Sequence, residues 1–217
     1  MVITNLDVSI LSLKDYTLRM IEKCLEAVDS SVECMIKKDM ENTKKIIRRD
    51  DDIDILREYI RDRSIELMAL KQPLAKDLRY IYALSDISTE LERIGDYASN
   101  ICNESLEIGE EPFIKELIDI PVMKDICVDM LKKLWDALKN DDAELSYSIA
   151  EQDKSIDELY LRVRQDCLKV MHDNPNNINQ GMRLVFIGRY LERIGDHITN
   201  ICEKIIYAKN GEMIEIG

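Results

Sequence analysis

Glycine and proline are scarce in this 217-residue chain, at seven and four, and aromatic residues make up 6%. Few turn-formers among many Leu, Ile, Lys, Glu and Asp favour long helices over strands. No alternating apolar–polar run bounded by turn dipeptides argues for a sheet. No uncharged apolar run approaches the ~20 residues that a membrane span needs. The first residues carry Asp7 and no basic stretch ahead of an apolar one, so no secretory signal is expected and the cytoplasm is the expected location. The six cysteines (Cys24, Cys34, Cys102, Cys127, Cys167 and Cys202) form no C-x-x-C pair, which removes support for a zinc finger or a thioredoxin-like site. Each lies in or near an apolar helical stripe and is expected to be a reduced core thiol. The phosphate loop, the nucleophile elbow, the zincin helix and the dinucleotide glycine fingerprint are all missing. Only two histidines occur, His172 and His197, and no Glu-x-x-His pair of the di-iron bundle type appears in either repeat described below. Positive charge is in the minority: the formal net charge is −13. Such a surface repels nucleic acid and anionic lipid. Metal cations or a basic partner surface fit it better, and a merely solvated surface fits it too.

What the sequence does hold is a repeat. Leu91-Glu92-Arg93-Ile94-Gly95-Asp96 returns as Leu191-Glu192-Arg193-Ile194-Gly195-Asp196, and the match runs on through Asn100-Ile101-Cys102 and Asn200-Ile201-Cys202. Earlier in each half, Asp50, Ile53, Asp54, Leu56 and Met68 correspond to Asp153, Ile156, Asp157, Leu159 and Met171 at a slightly larger offset. The offset changes near Pro73 and Pro175, where a helical hairpin tolerates a change of length. The unit is too long, and present too few times, for a solenoid. Two duplicated domains are expected, residues 1–110 and 111–217.

Each half reads as three helices. The apolar period places them at about 7–38, 41–71 and 75–108, then 122–139, 142–173 and 177–209, with 109–121 as the linker. The expected inward residues include Leu11, Leu18, Ile21, Val28, Val32 and Met35 in the first helix. In the second they are Ile46, Ile53, Leu56, Ile60, Leu67 and Leu70, and in the third Ile81, Leu84, Leu91, Ile94 and Ile101. Apolar stripes on long helices joined by short loops give antiparallel bundles. The fold class is all-α: two tandem, pseudo-symmetric three-helix bundles, six helices in all.

Four pairs of carboxylates stand one helical turn apart: Asp50/Asp54, Glu92/Asp96, Asp153/Asp157 and Glu192/Asp196. Like charges at that spacing cost a few tenths of a kcal/mol per pair, so their recurrence at matching positions of a duplicated unit needs a reason. Asp50/Asp54 precede Pro73 by about as many residues as Glu92/Asp96 follow it. At ~1.5 Å per residue the two pairs fall level on adjacent helices, and the same holds around Pro175. Four clustered carboxylates repel unless protonated or neutralised by cations. Hard oxygen donors suit Mg²⁺, Ca²⁺, Mn²⁺ and iron, and zinc is a further candidate. Asn100 and Asn200, one turn on, could add amide oxygens. The alternative is an acidic solvated face bridged by Arg49, Arg93 and Lys154. Gly95 and Gly195 interrupt good helices at about 1 kcal/mol each, either for close helix packing or for access of an ion. Arg93 and Arg193 could bind an anion or neutralise neighbouring acids. His197 follows Asp196 directly and so points off the carboxylate face.

The doubled Leu-Glu-Arg-Ile-Gly-Asp, with Gln72-Pro73-Leu74-Ala75-Lys76-Asp77-Leu78-Arg79, resembles the PhoU family of phosphate-uptake regulators over nearly the whole chain. The resemblance implies two symmetry-related three-helix bundles whose Glu/Asp-x-x-x-Asp motifs hold metal clusters, here at Asp50, Asp54, Glu92, Asp96, Asp153, Asp157, Glu192 and Asp196. It implies a cytosolic, non-enzymatic regulator that contacts the ATPase subunit of a phosphate ABC transporter and a sensor histidine kinase. Homodimer formation stays open. Two alternatives stay open with it: a metal-dependent phosphohydrolase or carboxylate-bridged oxidase using the same clusters, and an accessory protein of a different phosphate permease.

Overall fold

The computed structural model describes residues 4–49 and 51–216. Its helices are α1 (Asn5–Lys37), α2 (Met40–Arg49), α3 (Asp51–Lys71), α4 (Ala75–Ile108), α5 (Asp119–Asn140), α6 (Ala143–Ala150), α7 (Asp153–Asp173) and α8 (Ile178–Asn210), with a 3₁₀ turn at Pro175–Asn177. No strand occurs among the described residues. The helices α1, α2/α3 and α4 pack as one three-helix bundle and α5, α6/α7 and α8 as the other. Six helical segments are therefore present, the middle one of the second bundle being divided into α6 and α7.

Local chemistry sets the ends. Thr4 caps α1 by accepting the Asp7 N–H at 3.1 Å, while the Asp7 carboxylate accepts the Thr4 N–H at 2.8 Å. Lys38 and Asp141 close α1 and α5 in the left-handed conformation, φ 57° and 52°. The apolar period reads 142–173 as continuous, yet the helix tightens at residues 151–152. There the Gln152 N–H donates to the Ile149 carbonyl and the Ser155 N–H to the Gln152 carbonyl, both at 3.0 Å. A three-residue hydrogen-bond step keeps the backbone right-handed, so the sequence period barely registers it. Its consequence is that α7 restarts at Asp153. In the first bundle residue 50, between α2 and α3, lies outside the described residues. The linker is also shorter than the expected 109–121. Pro121 sits in the first turn of α5, where a missing N–H costs nothing. Gln180 clasps the linker, accepting the Ile114 N–H at 2.7 Å and donating to the Pro112 carbonyl at 3.1 Å.

The apolar stripes meet inside as expected for Ile21, Val28, Val32, Ile60, Leu84, Leu91, Ile94 and Ile101, all fully buried. Leu11 and Leu70 instead lie exposed, at 54% and 69%. Each is near a helix end, where its neighbours no longer flank it. None of the six cysteines is in a disulfide; five are buried and Cys34 is half-buried.

The bundles join along α4 and α8, which run antiparallel, and along α1 and α5. Arg183 reaches Glu104 at 2.9 Å and Glu107 at 3.2 Å, and Lys204 reaches Asp86 at 3.1 Å. Tyr97 and Tyr190 stack with centroids 5.8 Å apart. Lys124, 6% exposed, ties α5 to Asp29 and Glu33 of α1 at 2.9 and 3.3 Å. The buried side chains of both bundles form one contiguous core. Calorimetry should therefore record a single transition whose calorimetric and van't Hoff enthalpies agree. Two separated transitions would show that the α4–α8 contact is too weak to couple the halves.

Candidate metal centre

Because α7 begins at Asp153 and packs along α8, its first two turns lie beside the Glu192–Asp196 turn. Burial, and then the charges of Asp196, Asp157 and Glu192, push the Asp153 carboxyl up to about 7. Burial and Asp196 also raise Asp157, against the opposing charge of Arg189. Glu192 is raised by burial and Asp196, with Arg189 and Arg193 opposing. All four carboxylates of the second half thus stand within electrostatic reach of one another.

Two of their oxygens are distinctive. Asp153 Oδ1 and Glu192 Oε2 are buried without a hydrogen-bond partner, and Glu192 as a residue is only 9% exposed. A buried carboxylate oxygen left unpaired is costly, and donors of this kind fit a hard cation. Gly195 explains how Asp153 comes so close. A Cβ there would collide with Asp153 Oδ1 and stand 3.0 Å from Ile156 Cδ1. Of the two uses the sequence left open for Gly195, the structure displays close approach, and what approaches is a carboxylate.

Arginines hold the other oxygens. Arg193 Nη1 lies 2.8 Å from Asp196 Oδ2 and its Nε 3.8 Å from Glu192 Oε2. Arg189 Nη1 grips Glu192 Oε1 in a short ion pair. In keeping with this, no three His, Cys, Asp or Glu side chains among the described residues converge so as to hold an ion. The carboxylates form one charge cluster, with two of the four turned toward guanidinium groups.

The first bundle repeats the arrangement as far as it is described. Asp50 lies outside the described residues. Glu92 is raised by burial and Asp96, opposed by Arg93 and Arg57, with Asp54 adding to the rise. The structure thus brings Asp54, Glu92 and Asp96 together. Arg93 lies 3.1 Å from Asp96 and 3.5 Å from Glu92, and Arg57 Nε lies 3.9 Å from Glu92. Arg93 and Arg193 neutralise acids, as one of their two sequence readings had it.

The outer amides divide. The Asn200 amide nitrogen donates to Glu90 Oε2 at 3.0 Å, so that group serves the α4–α8 contact. Asn100 is half-buried on α4. His197 turns off the carboxylate face, as its position implied, and its Nδ1 meets the same Glu90 oxygen at 2.7 Å. Sequence reasoning missed Arg57, Arg189 and Glu90. Arg189 was within reach, since it precedes Glu192 by one turn on the same face. Arg57 and Glu90 act across helices and leave no such signal.

These features define a class: a duplicated all-α bundle pair with a carboxylate–arginine cluster where the second helix of each bundle meets the third. The family model described as the PhoU domain matches residues 17–105 and again 120–205. The chain belongs to the PhoU family. It is 34% identical over 202 residues to a phosphate-specific transport system accessory protein PhoU homolog of Aquifex aeolicus, covering 93% of this chain and 91% of that one. A Thermotoga maritima protein of the same description, PhoU homolog 1, is 32% identical over 92% of this chain and 87% of its own length. The crystal structure of the phosphate transport system regulatory protein PhoU from Streptococcus pneumoniae superposes with a TM-score of 0.91 at 27% identity, covering 97% of this chain and 100% of that one. PhoU from Pseudomonas aeruginosa gives 0.91 at 28%, over 95% and 99%.

Proposed function

We propose that this protein is a metal-binding, non-enzymatic accessory regulator of phosphate uptake. On this reading it acts in the cytoplasm and restrains a phosphate ABC transporter and phosphate-starvation signalling. Its two units, residues 1–110 and 111–217, each carry one cluster. The accessory role is supported by family membership and by the descriptions of the relatives. The metal reading is carried by one observation: two buried carboxylate oxygens without a hydrogen-bond partner, on Asp153 and Glu192, within a four-carboxylate cluster. Asp153, Asp157, Glu192 and Asp196 would hold a cation in the second bundle, and Asp50, Asp54, Glu92 and Asp96 one in the first. Hard oxygen donors favour iron, manganese or magnesium, with zinc as a weaker fit. A bound cation supplies the positive charge that the arginines provide only in part. The chain's own residues do the rest: Gly195 admits Asp153, and α7 is thereby held against α8. The ATPase subunit of the transporter and a sensor histidine kinase are the proposed partners. No helix of the described residues is long and apolar enough to cross a membrane.

Phosphate uptake provides the test. In a strain lacking the native gene, a copy carrying Asp153→Asn, Glu192→Gln and Asp196→Asn should leave uptake as high as no copy at all, while the wild-type copy represses it. Both proteins should accumulate equally by immunoblot. Full repression by the variant, with its metal lost, would separate the ion from the regulation.

A further inference from the structure

Each cluster contains one arginine that the other copy lacks, and the two come from different helices. Aligned on the repeat, Tyr160 of α7 stands where α3 has Arg57, and Thr89 of α4 stands where α8 has Arg189. Yet Arg57 and Arg189 approach corresponding residues, Glu92 and Glu192. Arg93 and Arg193, by contrast, occupy the same place in both copies and bind chiefly the outer Asp96 and Asp196. The duplicated halves thus bring a guanidinium to the same glutamate from two positions, hydrogen-bonded at Glu192 and at 3.9 Å, with no hydrogen bond from Nε, at Glu92. A guanidinium placed twice on the inner glutamate is hard to assign to surface solvation.

We propose that Arg189, and Arg57 in the first bundle, are built-in counter-cations that occupy the inner glutamate of each cluster and that an incoming metal ion must displace. The inference rests on the metal reading above. Glu192 is the carboxylate that arginines hold on both sides: its side chain is 11% exposed, Arg189 grips Oε1, and Oε2, which has no hydrogen-bond partner, lies 3.8 Å from Arg193 Nε. As long as Arg189 holds it, the glutamate is not offered to an ion, which agrees with the lack of a converged donor set among the described residues. The guanidinium has somewhere to go. Its side chain is 35% exposed, and its Cζ lies 5.8 Å from the Tyr160 ring centre, within range of a cation–π contact. Arg189 and Arg57 therefore set how strong a cation must be to enter, and they keep the ion-free bundles from being pushed apart by their own carboxylates.

The test measures Mn²⁺ binding to the full-length protein by calorimetry, one cluster at a time. With the first cluster removed by Glu92→Gln and Asp96→Asn, Arg189→Gln should bind Mn²⁺ about tenfold more tightly, the scale of losing one unit charge a few ångströms from a dication in near-aqueous screening. Arg189→Lys, which keeps the charge, should stay close to the parent. The opposite change guards against a variant that fails to fold. Thr89 is exposed, and Thr89→Arg should give the first cluster a second guard. With the second cluster removed by Asp153→Asn and Asp196→Asn, that variant should weaken Mn²⁺ binding several-fold. Unchanged or weaker binding in Arg189→Gln, or unchanged binding in Thr89→Arg, overturns the proposal and leaves the metal reading standing. A wild-type protein that takes up no Mn²⁺, Mg²⁺, Zn²⁺ or ferric ion overturns the metal reading and this proposal together.

Discussion

Asp153→Asn should raise the thermal midpoint in chelator at pH 8 and lower the midpoint reached with metal. The Asp153 carboxyl sits at about 7 in the folded protein against an ordinary value of 3.8. Between these values the folded chain keeps a proton that the unfolded chain releases. The contribution of the group to stability is therefore complete below about pH 4 and is lost as the pH rises through 7. Taken in full, a shift of about three units would be worth ~4 kcal/mol. Partial solvent access and the shared titration of four neighbouring carboxylates reduce this to about 1–2 kcal/mol. For a chain of this size that is about 3–6 °C. Asparagine keeps the shape and never carries the charge. In chelator the two proteins should therefore melt together near pH 4 and diverge by pH 8, with the variant higher. Metal reverses the order, since an ion at a hundredfold excess over its Kd stabilises only the protein that binds it, by ~2.7 kcal/mol. A variant melting several degrees below wild type in chelator at pH 8 would make Asp153 a structural residue with an undetected partner.

Much of this was legible before the structure. The repeat, the helical period and the carboxylate pairs at one-turn spacing all depend on local order along the chain. Because the hairpin is antiparallel, distance from the proline placed Asp153/Asp157 level with Glu192/Asp196, and the structure brings those four together. What escaped depends on contacts between helices. The tightening at residues 151–152 leaves both residues right-handed, and hydrophobic periodicity is blind to it. Leu11 and Leu70 keep the period but lie where the bundle ends. Arg57 reaches Glu92 from the neighbouring helix, and nothing in its own surroundings along the chain marks it. Asn200 shares a face with Asp196 in projection, yet the packing of α4 on α8 gives its amide nitrogen to Glu90. The pairing of the two bundles, which decides that allocation, has no one-turn signature.

Gly195→Ala should leave the fold standing and remove the response of the second cluster to metal. Two effects on stability oppose each other. Alanine is favoured over glycine within a helix by about 1 kcal/mol. Against this, the new methyl would collide with Asp153 Oδ1 and press on Ile156, which is fully buried. The carboxylate is the end of a short side chain and can rotate away, which also relieves its repulsion from Glu192 and Asp196. Ile156 has to yield only a few tenths of an ångström. In chelator the variant should therefore melt within about 1 kcal/mol of wild type, with unchanged helical circular dichroism. The cost falls on the site. An Asp153 oxygen moved off its seat no longer meets the other three carboxylates, so the rise in melting temperature on adding Mn²⁺ should shrink to what the first cluster alone provides. Gly195→Val, with two further methyls against the same wall, cannot be relieved by moving the carboxylate alone. It should cost ~1–3 kcal/mol or more through overpacking. The contrast between the two variants separates the site from the scaffold. A Gly195→Ala protein that kept the whole metal-induced rise would show that Asp153 is not a ligand, however close it lies to Glu192 and Asp196.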